Sequence, residues 1–239
     1  MPAPPGNPYE YWQIGAGANF VDGQDTGNWT GQILGLVMNR SGTCTFNIAT
    51  QLIHQNTGWF ETGSVINLTQ PWAIFGMFNT VSAGFPQNFW STSNFSTQLA
   101  PGNNTVSVTS DNVNFMSASV SNSNGVLYTC LWVLNGANSK FFLNGTQVTL
   151  TGGTTTGTNG MSNNTLEING SAGGSGAVEM YIGSAVLYDN DPSAFAPNID
   201  SWGRQQSVLA SGPSIMPQAL FRRPPSRRRY FLMPAMEIL

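Results

Sequence analysis

Phe141-Phe-Leu-Asn144-Gly145-Thr-Gln-Val148 is a β-hairpin spelled out in sequence. An aromatic run and a β-branched run meet at Asn-Gly, a pair that takes positive φ at both central positions of a tight turn. Upstream, Val126 to Leu134 is a continuous apolar run of strand length. Downstream, Lys140 to Leu143 and Gln147 to Leu150 frame the turn, and Thr165 to Ile168 and Val178 to Tyr188 follow as further strands. Toward the N-terminus the same signature recurs at Gln32 to Met38, Thr43 to Thr50, Trp72 to Phe78, Asn104 to Thr109 and Val113 to Val120. These runs are rich in β-branched and aromatic residues, and clusters of Gly, Asn and Ser separate them. Strict alternation in Thr105-Val-Ser-Val-Thr109 gives that strand one buried and one wet face. One helix is expected, after Pro197, with Asn198 capping Ile199 to about Ser207 and Asp200 near its positive end. The pattern predicts an all-β antiparallel sandwich with one short C-terminal helix.

Composition agrees. Only 8% of the 239 residues are charged, against roughly a quarter in an ordinary globular domain. Hydrophobic residues make up 40%, too many for a disordered chain. No run approaches the ~20 apolar residues that span a bilayer. The start, Met-Pro-Ala-Pro-Pro-Gly, has neither the basic nor the apolar region of a signal peptide. The Asn-x-Ser/Thr triplets from Asn28 to Asn169 are accordingly expected to be chance matches in an Asn- and Thr-rich chain. Cys44 and Cys130 lie in apolar runs, and two readings stand: an inter-sheet disulfide, or two buried free thiols.

Three regions separate: an N-terminal Pro/Gly-rich arm (1–27) with Tyr9, Tyr11 and Trp12, the sandwich (28–210), and a Pro/Arg/aromatic C-terminal arm (211–239). Before residue 211 the net charge is −7; beyond it five arginines face only Glu237, for +4. Such asymmetry marks an interacting tail.

The run Leu127-Tyr-Thr-Cys-Leu-Trp-Val133, then Phe141-Phe-Leu-Asn-Gly145, Thr165-Leu-Glu-Ile-Asn-Gly170 and Ala177-Val-Glu-Met-Tyr-Ile-Gly-Ser-Ala-Val-Leu-Tyr-Asp189, followed by Ser201-Trp-Gly-Arg-Gln205, resembles the second half of a laminin-G-like, concanavalin A-like domain. The resemblance covers about a third of the chain and implies a jelly-roll sandwich. It leaves function open, because this fold hosts lectins, hydrolases, adhesion modules and virion proteins.

Glucanases of this fold carry their carboxylates on one strand as Glu-x-Asp-x-x-Glu, and no such spacing occurs here. Glu167 and Glu179 lie on consecutive strands and are candidates to face each other, although solvent-facing positions suit them equally. A non-enzymatic role is therefore expected. No cofactor is expected either; the ion that sandwich lectins of this type use is Ca²⁺. Asp22/Asp25 and Asp189/Asp191 offer oxygen ligands for it, though loop Asp residues usually serve turns. His54, the sole histidine, is expected to be structural.

Trp29, Trp59 and Trp90 sit beside Asn, Ser, Thr or Gly and are candidate stacking platforms for a glycan, with core packing as the competing role. Phe221, Arg222, Arg223, Arg227, Arg228, Arg229, Tyr230 and Phe231 form a candidate partner-binding arm. Nucleic acid is the less favoured partner, since a purely electrostatic arm needs no such aromatic content. A protein surface of complementary charge suits it better. The resemblance and the arm together imply a bacteriophage virion protein made in the host cytoplasm. Its expected role is a capsid decoration or cement subunit held by its arms to the major capsid protein, to tail proteins or to copies of itself. The alternative is a lectin-like module of a tail or fibre protein that engages host glycans.

Overall fold

The computed structural model describes residues 2–81, 87–92, 95–100, 105–111, 113–120, 125–169 and 179–207. The expected C-terminal arm (211–239), with its aromatic and arginine residues, lies outside the described residues. Strands run in the order β1 (Glu10–Trp12), β2 (Trp29–Thr30), β3 (Val37–Ser41), β4 (Cys44–Asn47), β5 (Leu52–Gln55) and β6 (Trp59–Thr62). They continue with β7 (Ile66–Leu68), β8 (Trp72–Thr80), β9 (Gln87–Thr92), β10 (Phe95–Ala100), β11 (Thr105–Thr109) and β12 (Met116–Ser119). The last six are β13 (Leu127–Leu134), β14 (Lys140–Leu143), β15 (Thr146–Val148), β16 (Met161–Asn164), β17 (Glu167–Ile168) and β18 (Met180–Tyr188), and one helix follows, α1 (Ala196–Gln205).

Sixteen of these strands form two antiparallel sheets, and β7 and β16 pair as a separate two-stranded one. Sheet I has the order β15-β14-β13-β8-β18-β5-β4, with β1 also paired to β18; sheet II has the order β12-β11-β10-β9-β17-β6-β3-β2. This is the jelly-roll sandwich that the sequence predicts. The period of two sets its layers. On β8, Ile74 and Phe78 point between the sheets, where they join Trp12, Trp29, Phe60, Trp90, Trp132, Phe141 and Ile168 in the main core. Phe75 and Met77 point to the outer side of sheet I and pack with Val133, Val186, Tyr188, Ile199 and Trp202 in a second core. Helix α1 is thus the lid of sheet I. The β14–β15 turn has the expected geometry, with Asn144 at φ 51° and Gly145 at φ 74°.

The helix starts earlier than predicted. Phe195 takes the N-cap position without a side-chain bond, and Pro197 lies in the first turn, where no N–H is needed. Asn198 is therefore inside the helix rather than its cap.

Two expected strands are shortened, for one reason. Gln32 to Met38 forms a strand only from Val37, because the Glu10 carboxylate takes the backbone N–H groups of Ile33, Leu34 and Leu36 at 2.8, 3.0 and 3.1 Å. Val113 to Val120 begins as a strand only at Met116, because Asp111 Oδ1 accepts from the N–H groups of Val113 and Asn114. A side-chain acceptor that captures N–H groups removes them from the ladder.

The stretch 1–27, expected as an arm, is continuous with the sandwich from residue 2. Strand β1 pairs with β18. Its alternation sends Glu10 and Trp12 inward, both fully buried. The Trp202 indole N–H also donates to Pro2 O at 3.0 Å. Among the described residues, no helix is long and apolar enough to cross a membrane. Cys44 and Cys130 are free and buried in the main core, and burial pushes the Cys44 thiol up to about 12.

Candidate functional site

Helix α1 covers sheet I, and the outer face of sheet II carries polar groups instead. On β6 the pleat turns Phe60 and Thr62 inward and leaves Trp59 and Glu61 outside, half-buried. Strand β3 places Ser41 opposite Trp59 and Asn39 opposite Glu61. On the other flank of β6, β17 places Glu167 opposite Glu61. Strand β9 then places Ser91 opposite Glu167. One register row therefore runs Asn39, Glu61, Glu167, Ser91 across four strands, with Trp59 one pleat away on the same face.

Hydrogen bonds hold this row. Glu61 Oε1 accepts from Thr165 Oγ1 at 2.7 Å, and Glu167 Oε2 accepts from Ser91 Oγ at 3.3 Å. Asn39 Oδ1 accepts from Asn28 Nδ2 at 3.2 Å, and the Asn28 carbonyl oxygen Oδ1 accepts from the Arg40 backbone N–H at 3.0 Å. Glu167 is buried, while Asn39 is exposed. Directly opposed residues on antiparallel strands have Cβ atoms about 4.5–5.5 Å apart. Two carboxylates, an amide and hydroxyls beside an indole suit hydroxyl-rich ligands. A carboxylate pair is also what glycoside hydrolysis requires.

Of the three tryptophans expected as platforms, only Trp59 escapes full burial. Trp29 and Trp90 are fully buried in the main core. Trp29 donates its indole N–H to Ala16 O at 3.0 Å and Gln13 O at 3.3 Å, and Trp90 pairs with Ile168 on the inner face. Their polar neighbours are the alternate, outward residues of the same strands, which is why sequence made them look accessible. Glu167 and Glu179 do not meet. Glu167 faces Glu61 in sheet II, whereas Glu179 lies beside sheet I with Oε1 2.9 Å from His54 Nε2. Glu61 and Asn39 went unnoticed in the sequence because neither strand exceeds five residues.

The acidic loops hold the chain together. Asp22 Oδ1 accepts from the Ile48 N–H at 2.9 Å. Asp25 Oδ1 accepts from the Gly27 N–H at 2.8 Å and pairs with Arg40 Nε at 2.9 Å. Asp191 pairs with Lys140 Nζ at 2.8 Å and also accepts from the Ser193 N–H. Burial pushes the Asp191 carboxyl up, but the bonds from Lys140 and Ser193 outweigh it and hold it below the usual carboxylate range. Among the described residues, no three His, Cys, Asp or Glu side chains gather where they could hold a metal ion.

No protein-family model matches the chain, and no curated protein matches it. Solved structures do. A sialidase from Trypanosoma rangeli matches 85% of this chain at 10% identity and TM-score 0.52. Domain 4 of an extracellular arabinanase from Geobacillus stearothermophilus, solved with arabinotriose, matches 67% of this chain and 82% of its own length, at 11% identity and TM-score 0.52. Botulinum neurotoxin type C, whose cell entry depends on interaction with two ganglioside molecules, matches 81% of this chain and 51% of its own, at 14% identity and TM-score 0.55. The chain spans only 33% of the sialidase chain. At these identities the likeness is one of fold. The neighbours nonetheless correct the expectation of a non-enzymatic chain: two of the three are a sialidase and a domain of an arabinanase, so the fold sits among enzymes.

Proposed function

We propose that the chain is a carbohydrate-binding β-sandwich and that the outer face of sheet II is its binding surface. The carrying observation is that the one accessible candidate tryptophan, Trp59, shares that face with Asn39, Glu61 and Glu167. The indole offers a stacking surface for the C–H face of a sugar ring. Carboxylate and amide groups accept from and donate to its hydroxyls, the small set of placed polar groups that gives a site its specificity. The neighbours support this reading, since the arabinanase domain was solved with arabinotriose and cell entry of the neurotoxin depends on gangliosides. The decoration-protein reading has less behind it: none of these neighbours is a particle subunit, and its arm lies outside the described residues.

The test is a glycan panel of arabino-oligosaccharides and sialylated, ganglioside-type glycans, probed with the full chain and with Trp59→Ala. Binding by the parent that Trp59→Ala weakens at least tenfold supports the proposal, whereas no binding by the parent, or equal binding by both, overturns it. The Glu61–Glu167 pair favours a second reading, cleavage of the bound glycan. Reducing-end release from a bound ligand, lost in Glu61→Gln and Glu167→Gln, supports cleavage; a ligand that stays intact contradicts it.

A further inference from the structure

The polar row beside Trp59 holds a charge arrangement that sheets ordinarily avoid. Glu61 on β6 and Glu167 on β17 are direct cross-strand partners. The adjacent rung is hydrogen-bonded, since the Thr62 N–H donates to Leu166 O at 2.9 Å. Rungs alternate in an antiparallel pair, so Glu61 and Glu167 occupy a rung without ladder bonds, where facing side chains stand closest. Like charges placed directly opposite each other destabilise a strand pair. The chain has only 11 acidic residues, and it sets two of them against each other here.

Hydroxyls meet both carboxylates: Thr165 Oγ1 donates to Glu61 at 2.7 Å, and Ser91 Oγ donates to Glu167 at 3.3 Å. The four described side chains able to carry positive charge face other acids. Arg40 faces Asp25, His54 faces Glu179, Lys140 faces Asp191 and Arg204 faces Asp200. A Ca²⁺ ion fits poorly, because it takes roughly six to eight oxygen ligands and no third His, Cys, Asp or Glu gathers with the pair among the described residues. A compact organic ammonium needs only the carboxylates. Trp59 lies two residues before Glu61 on the same face of β6, and Asn39 sits opposite Glu61 on its other flank. The arrangement suits a cation carried on a ring that also stacks and bears hydroxyls.

We propose that the Glu61–Glu167 pair makes the sheet II face selective for amino sugars, glycans whose rings carry free, protonated amines, as in oligomers of glucosamine. This rests on the carbohydrate reading above and narrows it. One ring stacks on Trp59 while the ammonium lies against Glu61, and Glu167, only 5% exposed, adds its charge from the next strand. A charge so buried is less screened by solvent and salt than an exposed one. An N-acetylated sugar lacks the positive charge, and a sialylated one brings a carboxylate that the pair repels.

The experiment is calorimetric titration of the full-length chain, in mildly acidic buffer, with three β-1,4-linked oligomers of one length, built from glucosamine, N-acetylglucosamine and glucose. They share a backbone and differ at C2, in an ammonium, an acetamide and a hydroxyl. The glucosamine oligomer should bind at least tenfold more tightly than the other two, with the advantage shrinking as salt rises. In Glu61→Gln and Glu167→Gln, with folding checked by urea unfolding, the ratio of affinities should fall toward one. If the neutral oligomers bind as tightly as the glucosamine one, the amino-sugar assignment is wrong and the carbohydrate reading stands. If none of the three binds, the assignment is wrong, and the glycan panel decides whether the carbohydrate reading survives. A preference that persists in both folded Gln variants contradicts the role of the pair. A preference that appears only when the five arginines of 222–229 are changed to Gln gives the pair to the chain's own arginines and overturns the sugar assignment too.

Discussion

The two outer faces of the sandwich differ in what their strands leave exposed. Sheet I sends Phe75, Met77, Val133 and Val186 outward, and helix α1 buries them under Ile199 and Trp202. Sheet II sends Trp59, Asn39, Glu61 and Glu167 outward, where the two carboxylates meet hydroxyls and Asn39 meets an amide instead of a helix. Each face is one strand pleat away from the same core. One face is sealed by a helix and the other holds polar side chains and Trp59, and the residues in the outward register decide which.

If that division holds, the largest stability loss comes from the sealed face. Trp202 is 4% exposed and meets Tyr11 and Phe75 edge-on at 6.1 and 6.2 Å. Trp202→Ala should cost about 3–5 kcal/mol in urea unfolding, while the protein that remains folded keeps its saccharide affinity. A large change in that affinity would dissolve the distinction between the faces.

Glu10 comes next, because it joins the sheets. It sits on β1 of sheet I, and its buried carboxylate holds the loop that enters β3 of sheet II. Glu10→Ala strands several N–H groups and should cost about 2–3 kcal/mol. Amide hydrogen exchange should accelerate at Ile33, Leu34 and Leu36; unchanged protection there would remove Glu10 from this role.

Trp59→Ala inverts the pattern. A half-buried residue on an open face should cost less than about 1 kcal/mol of stability, yet its loss should weaken saccharide binding by about 1.4 kcal/mol or more, a factor of ten. Calorimetric titration alongside urea unfolding separates the two effects.

The smallest effect is electrostatic and lies at the end of β11. Burial pushes the Asp111 carboxyl up, but hydrogen bonds from Asn114, Val113 and Thr109 outweigh it and lower it to about 2, against about 3.9 unfolded. A depressed folded value means that the contribution is present above pH 4 and disappears as pH falls from 4 to 2. Asp111→Asn should therefore show a shallower stability decline over that interval than the parent, and parallel curves would contradict it.

The sequence made sheet I legible and much of sheet II obscure. The Asn144-Gly145 turn, the unbroken Leu127–Leu134 run and the long strand to Tyr188 need only local patterns, and all three are in sheet I. Strand β3 was obscured by Glu10, whose partners lie more than twenty residues along the chain. Trp29, Trp59 and Trp90 all lie near Asn, Ser, Thr or Gly; what separates them is which side of the pleat faces the core, and that depends on pairing with β3 and β17. Glu61 and Glu167 form a pair only once β6 and β17 are neighbours.

The central claim, that Trp59 and its face contact the saccharide, is tested most directly by the indole N–H resonances of the seven tryptophans, with Trp59 assigned by its loss in Trp59→Phe. On titration with a glycan that the chain binds, the account predicts that the Trp59 indole signal shifts with ligand while those of Trp29, Trp90 and Trp202 stay in place. A bound ligand that leaves the Trp59 signal unmoved would contradict it.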